Sequence, residues 1–182
     1  MVNYPVQTID SVPAGSKPAI EQLEQAFGFV PNLVGALSNS AVLLNSLVGL
    51  FQRVHGGNFS EPEIQILLLT NAVTNSCHWA VAFHTALALQ QGIDRADVQA
   101  IRERRLPANP RYAALSRLAR TLIEQRGHLK NADLAAFIEA GFKSELALEA
   151  IAVSAASTIT NYGGTVTNPP LEAVFQEHVW PA

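Results

Sequence analysis

From Pro18 onward the chain is punctuated almost entirely by helix starts and stops, and no stretch sustains the apolar–polar alternation of a half-buried strand. Ser40 stands before an apolar run to His55, which Gly56 and Gly57 end. Ser60-Glu61-Pro62-Glu63 has the spacing of a capping box, with Ser60 as N-cap, Glu63 reaching back, and Pro62 in the first turn where no donor is lost. That helix is predicted to run to about Thr74. Ser76 is placed to cap the next, which continues through Trp79, Phe83, Leu87 and Leu89 to a stop at Gly92, so the two form a helical hairpin. Further starts come after Asp94, Asn109 with Pro110 behind it, Asn131, Ser144, and Asn168 with Pro169 behind it. Gly163-Gly164, like Gly56-Gly57, read as terminators.

The expected fold class is therefore all-α: a single-domain bundle of about nine helices. Leu115, Leu118 and Leu122, and again Leu134, Phe137 and Ile138, mark one-sided apolar stripes. Glu145 to Thr160 is apolar nearly all round, as in a central helix or one at a subunit interface. Residues 1–17, broken by Pro5 and Pro13, read as an extended N-terminal arm, and 18–182 as the helical domain.

An apolar fraction of 48% with only 15% charged residues implies a face reserved for copies of the chain, so a homo-oligomer is expected. Net charge is −3 and the cations are scattered apart from the run Arg102 to Arg105, which argues against nucleic acid as a partner. No apolar run reaches the ~18 residues of a membrane span, and no basic start precedes an apolar signal segment. The expected location is cytoplasmic, with no membrane partner.

The window that could carry chemistry is Ser76-Cys77-His78-Trp79-Ala80-Val81-Ala82-Phe83-His84. Cys77 and His84 lie seven residues apart on one helical face, about 10 Å along the axis, too far for a direct hydrogen bond. Coupling would need a water, a substrate or a residue at position 80, and Ala80 stands there. With Ser76 as N-cap, Cys77 would occupy the first turn, where the helix dipole favours a thiolate. Its Leu, Val, Phe and Trp neighbours favour an inert buried thiol instead, and both readings stay open. His84 is either a hydrogen-bonded core histidine or a proton-transfer residue. His78 could polarise a site beside Cys77, and Trp79 reads as core or interface.

A metal is not expected: His78 and His84 lack the spacing of ligands on one helical face, and no second Cys or His cluster accompanies them. The glycine pairs lack the spacing of phosphate loops, so no cofactor is expected.

Phe27-Gly28-Phe29-Val30-Pro31-Asn32-Leu33, followed by Leu37 and Ser40, resembles the lead-in of the peroxidase-related branch of the alkylhydroperoxidase D-like, or carboxymuconolactone decarboxylase, family. The helix pair from Ser60 to Gly92 resembles that family's core, and similarity continues through Asn131 to Leu134 and Glu149 to Asn161. The resemblance implies an AhpD-like bundle assembled as a dimer, trimer or hexamer. It also implies a motif of Glu, a Cys-x-x-Cys twelve residues later, and a His four residues after the second Cys. Laid on this chain, the first Cys is Cys77 and the His is His84, while Ala80 replaces the second Cys and Gln65 the Glu. Gln65 cannot take a proton at neutral pH and can only orient a water or a side chain.

Three functions are open to such a chain. The first is a thiol-dependent, peroxidase-like oxidoreductase of peroxiredoxin type with a degenerate site, Cys77 as nucleophile, His84 as proton carrier, Gln65, His78 and Trp79 in support, and an external thiol as reductant for a small-molecule substrate. The second is cofactor-free proton transfer of decarboxylase or lactone type on His84. The third is a non-catalytic binding or assembly protein that kept the scaffold.

Overall fold

Most helix boundaries in the structure, a computed structural model that describes residues 4–181, fall where the capping residues place them. In chain order the helices are α1 (Lys17–Phe27), α2 (Asn32–Leu37), α3 (Ala41–His55), α4 (Glu61–Thr74), α5 (His78–Gln90), α6 (Arg95–Arg102), α7 (Pro110–Glu124), α8 (Asn131–Glu139) and α9 (Glu145–Thr167). Two 3₁₀ turns, Ala14–Ser16 and Ala173–His178, complete the described residues, which hold no strand. The expected all-α bundle of about nine helices is the one that forms.

Caps explain the starts. The Ser40 hydroxyl accepts from Leu43 N–H, Asp94 from Ala96 N–H, and Asn109 from the N–H groups of Arg111 and Tyr112. At α4 the Glu63 carboxylate accepts from both the backbone N–H and the hydroxyl of Ser60, at 2.9 and 2.8 Å. Arg111 ties the same carboxylate to α7 at 2.6 Å, and its guanidinium lies 3.8 Å from the Phe142 ring centre.

α4 and α5 form the central hairpin. α4 is buried continuously from Glu63 to Val73, because α5, α7, α9 and α6 cover it on all sides. α9, the longest helix at 23 residues, packs across α2, α3, α4, α5 and α7. Its opposite face leaves Leu148, Ile151, Tyr162 and Val166 exposed, the surface that the expected self-association would use.

Three expectations are corrected. Gly163 and Gly164 do not end a helix; they lie inside α9, where the Leu37 side chain and the Cys77 sulfur press against its backbone. Ser76 does not cap α5: its backbone is left-handed, φ 55°, and Cys77 is the N-cap. No α-helix starts after Asn168. That residue, at φ 44°, ends α9, and Pro169-Pro170 carry an extended segment to the 3₁₀ turn. The N-terminal arm runs without helix from Tyr4 to Pro13, held to α2 by Gln7 N–H donating to the Gly35 carbonyl at 3.2 Å, while residues 1–3 and 182 lie outside the described residues. No helix among the described residues is long and apolar enough to cross a membrane.

Candidate active site

Between α4 and α5 the chain reverses in three residues, and the sulfur of Cys77 is delivered by that reversal. Ser76 takes the left-handed conformation and accepts a hydrogen bond from Arg104 at 3.0 Å. Cys77 N–H then donates to the Ala72 carbonyl at 3.0 Å, and the Cys77 carbonyl accepts from Val81 to begin α5. An N-cap side chain faces the free N–H groups of the first turn. Here those of Ala80 and Trp79 lie against Sγ, as does the Thr165 hydroxyl of α9.

Burial pushes the Cys77 thiol up from its ordinary value, and the Ala80 N–H, the Thr165 hydroxyl and the Trp79 N–H only partly pull it back. The residue is 2% exposed. α9 can approach so closely because Gly164 has no Cβ: one placed there would stand 2.9 Å from Sγ.

Cys77 nevertheless lines a cavity of about 320 Å³. Its walls are Cys77, His78 and Trp79 from the start of α5, Gly164 and Thr165 from α9, and the C-terminal segment ending in Trp180. Trp79 stacks on Phe83 at 4.8 Å and donates through Nε1 to Glu172 at 3.0 Å. His78 donates through Nδ1 to the Trp180 carbonyl at 3.0 Å.

The other half of the motif lies elsewhere. His84 is 4% exposed, and its Nδ1 meets Gln65 Oε1 at 3.1 Å across the α4–α5 seam. Burial, and secondarily nearby His55, lowers its pKa from 6.5 to about 3, so the ring is neutral and donates to Gln65. Gln65, unable to carry a proton, thus orients a side chain. Neither residue lines the cavity of Cys77, and Ala80 is wholly buried. The structure brings Cys77, His78 and Trp79 together at the cavity, and Gln65 and His84 together away from it.

Thr165 and Trp180 line the cavity without any reading of the sequence pointing to them, and Gly164 lines it although the sequence marked it only as a helix terminator. Trp180 alone carried a signal: an aromatic in a segment ending Val179-Trp180-Pro181, outside any helical stripe, has to pack on something distant. Among the described residues no cluster of three or more His, Cys, Asp or Glu side chains could hold a metal ion.

The sequence pattern of the carboxymuconolactone decarboxylase family matches residues 43–121, which span α3 to α7 and contain Gln65, Cys77 and His84. The match covers the central helices of the chain and not its two ends. The chain carries one cysteine, Cys77, where an incomplete Cys-x-x-Cys motif was expected. Solved structures agree on the fold. A peroxidase-related protein from Ralstonia eutropha JMP134, described as an alkylhydroperoxidase AhpD core, is 19% identical with TM-score 0.82, over 95% of this chain and 93% of that one. A cysteine-to-alanine variant of the debrominase Bmp8, in complex with 2,3,4-tribromopyrrole, is 18% identical with TM-score 0.79, over 98% of this chain and 95% of that one. A peroxidase-related protein from Silicibacter sp. TM1040 is 18% identical with TM-score 0.78, over 96% and 92%. At these identities the likeness establishes the AhpD-like bundle. No curated protein matches the sequence.

Proposed function

We propose that this chain is a carboxymuconolactone decarboxylase-like family member acting as a single-thiol, peroxidase-like oxidoreductase, with Cys77 as its nucleophile. The observation that carries the reading is the position of Sγ: on a cavity wall, at a helix N-terminus, with two backbone N–H groups and a hydroxyl around it. The Cys77 thiolate attacks the terminal oxygen of an organic hydroperoxide, the O–O bond breaks, and the alkoxide leaves with a proton, producing an alcohol and a sulfenic acid on Cys77. An external thiol condenses with the sulfenic acid and releases water; a second reduces the mixed disulfide. One hydroperoxide thus oxidises two thiols. With Ala80 in the second motif position, no internal disulfide can replace the external one.

His78 is the imidazole on the cavity wall and takes the role of protonating the departing alkoxide, whereas His84 supports the α4–α5 seam through Gln65. A neutral His84 at pH 7, sealed from the cavity, offers little to the decarboxylase-type reading. The raised thiol pKa favours a second reading, a scaffold that has lost its chemistry. Mixing the protein with an organic hydroperoxide and a small thiol separates the two. Turnover that climbs with pH and vanishes in Cys77→Ser is expected. Equal rates for the intact chain and Cys77→Ser would leave the scaffold reading alone standing.

A further inference from the structure

Beyond α9 the chain turns back and lines one side of the Cys77 cavity. Glu172 pins the return, accepting from Asn32 N–H at 2.6 Å and from Trp79 Nε1–H at 3.0 Å. The 3₁₀ turn Ala173–His178 then lies along α5, with Phe175 edge-on to Phe83 at 5.3 Å. Arg102 grips the end of that turn, donating to the carbonyls of His178 and Val179, both at 3.0 Å, and to the Thr85 hydroxyl at 2.8 Å. Trp180 answers by donating Nε1–H to the Arg102 carbonyl at 2.9 Å, and its own carbonyl is held by His78. The Trp180 ring lies 5.3 Å from the His78 ring, with the Arg104 guanidinium 5.6 Å from its centre.

This strap forms the outer wall of the cavity through Leu171, Gln176, Val179 and Trp180. Cys77, on the same cavity of about 320 Å³, is 2% exposed, so what reaches it has to pass between α9, α5 and this segment. The lining contains no carboxylate, lysine or arginine, and most of its surface is apolar, which suits small uncharged molecules better than strongly hydrated ions. The strap is held by a few exposed or part-buried hydrogen bonds and sends the Phe175 side chain into the apolar core, with Leu171 and Trp180 packed against it, whereas the helices beneath supply most of that core. A terminal segment with so few core side chains has a lower free energy of local opening than the helices.

We propose that the strap, residues 169–181, latched by Arg102 and Trp180, is the size filter for Cys77. Small uncharged molecules reach Sγ beneath it, and larger ones only when the latch is released. The filter serves the thiol chemistry proposed above, but it is a property of the fold and is read without any turnover.

The test uses the full chain and two uncharged thiol reagents, iodoacetamide as the small probe and N-phenylmaleimide as the bulky one. Each rate is divided by that of the same reagent with a free small thiol. In the intact protein the normalised rate for the small probe is expected to exceed that for the bulky one by about tenfold, and Trp180→Ala to bring the two within about threefold by accelerating the bulky probe. Unfolding would instead raise the small probe to its free-thiol rate. Should Trp180→Ala do so, Arg102→Lys carries the test, because lysine keeps the charge but cannot span two carbonyls as the guanidinium does. Equal normalised rates in the intact chain, or a preference that survives in a folded Trp180→Ala or Arg102→Lys, overturns the filter. Size selection at Cys77 without hydroperoxide turnover would sink the enzymatic reading and leave the filter intact.

Discussion

Cys77 and His84 stand seven residues apart along one helical segment, yet the first faces a cavity and the second is locked into the seam between α4 and α5. At the head of α5 the sulfur meets free N–H groups, a hydroxyl and a removable wall. Two turns on, the imidazole has a carboxamide for a partner and has lost its ability to hold a proton at neutral pH. Residues spaced to share a face need not share a site, because a capping residue belongs to the turn before the helix as much as to the helix itself. The proposed chemistry lies at the start of α5 and a buried structural contact at its middle.

Acid should expose that division most strongly. The folded chain keeps His84 neutral down to about pH 3, whereas the unfolded chain protonates it near 6.5. Between those values the unfolded state binds the extra proton. Stability is therefore intact above about pH 6.5 and falls by about 1.4 kcal/mol for each pH unit below it, until about pH 3. Urea titrations in the upper part of that window, above the ordinary carboxylate range in which Glu63 also contributes, should show the slope in the intact chain and lose it in His84→Phe; a slope that persists there would mean the histidine is not the group responsible.

Next in size is the loss of the ring itself. His84→Ala removes a buried side chain and strands Gln65 Oε1, at a cost of about 3 kcal/mol, against about 1 kcal/mol or less for Cys77→Ser. The comparison breaks if denaturation midpoints fall equally in both. The smallest effect belongs to Thr165, whose hydroxyl is one of three groups favouring the thiolate. Thr165→Val should slow alkylation of Cys77 by a small reagent about threefold at pH 7 and move the pH profile further alkaline. Thr165→Ser should restore both, and an unmoved profile would remove Thr165 from the site.

Much of this architecture was legible in the chain. Ser60 with Glu63, Asn109 with Pro110, and Ser40 before its apolar run are local devices, complete within four residues, and each marks a real helix start. Tertiary contacts decided the rest. Ser76 takes a left-handed turn with Arg104 bound to its hydroxyl, and no property of Ser76 announces that partner 28 residues away. Gly163 and Gly164 look like a stop and serve as a thin place in a helix, which only Leu37 and Cys77 reveal. The outer wall of the cavity comes from residues about a hundred positions beyond Cys77, so no spacing rule could have joined them, although the stranded Trp180 hinted that something would be covered.

That glycine pair has a dynamic consequence. Each glycine inside a helix weakens it by about 1 kcal/mol relative to alanine, and here two fall together, one turn before the strap departs. The last turn of α9 is thus its softest, and its amides should exchange with deuterium sooner than those between Ala150 and Thr160. The same missing methyl groups that let the sulfur nestle against α9 also loosen the joint on which its cover swings.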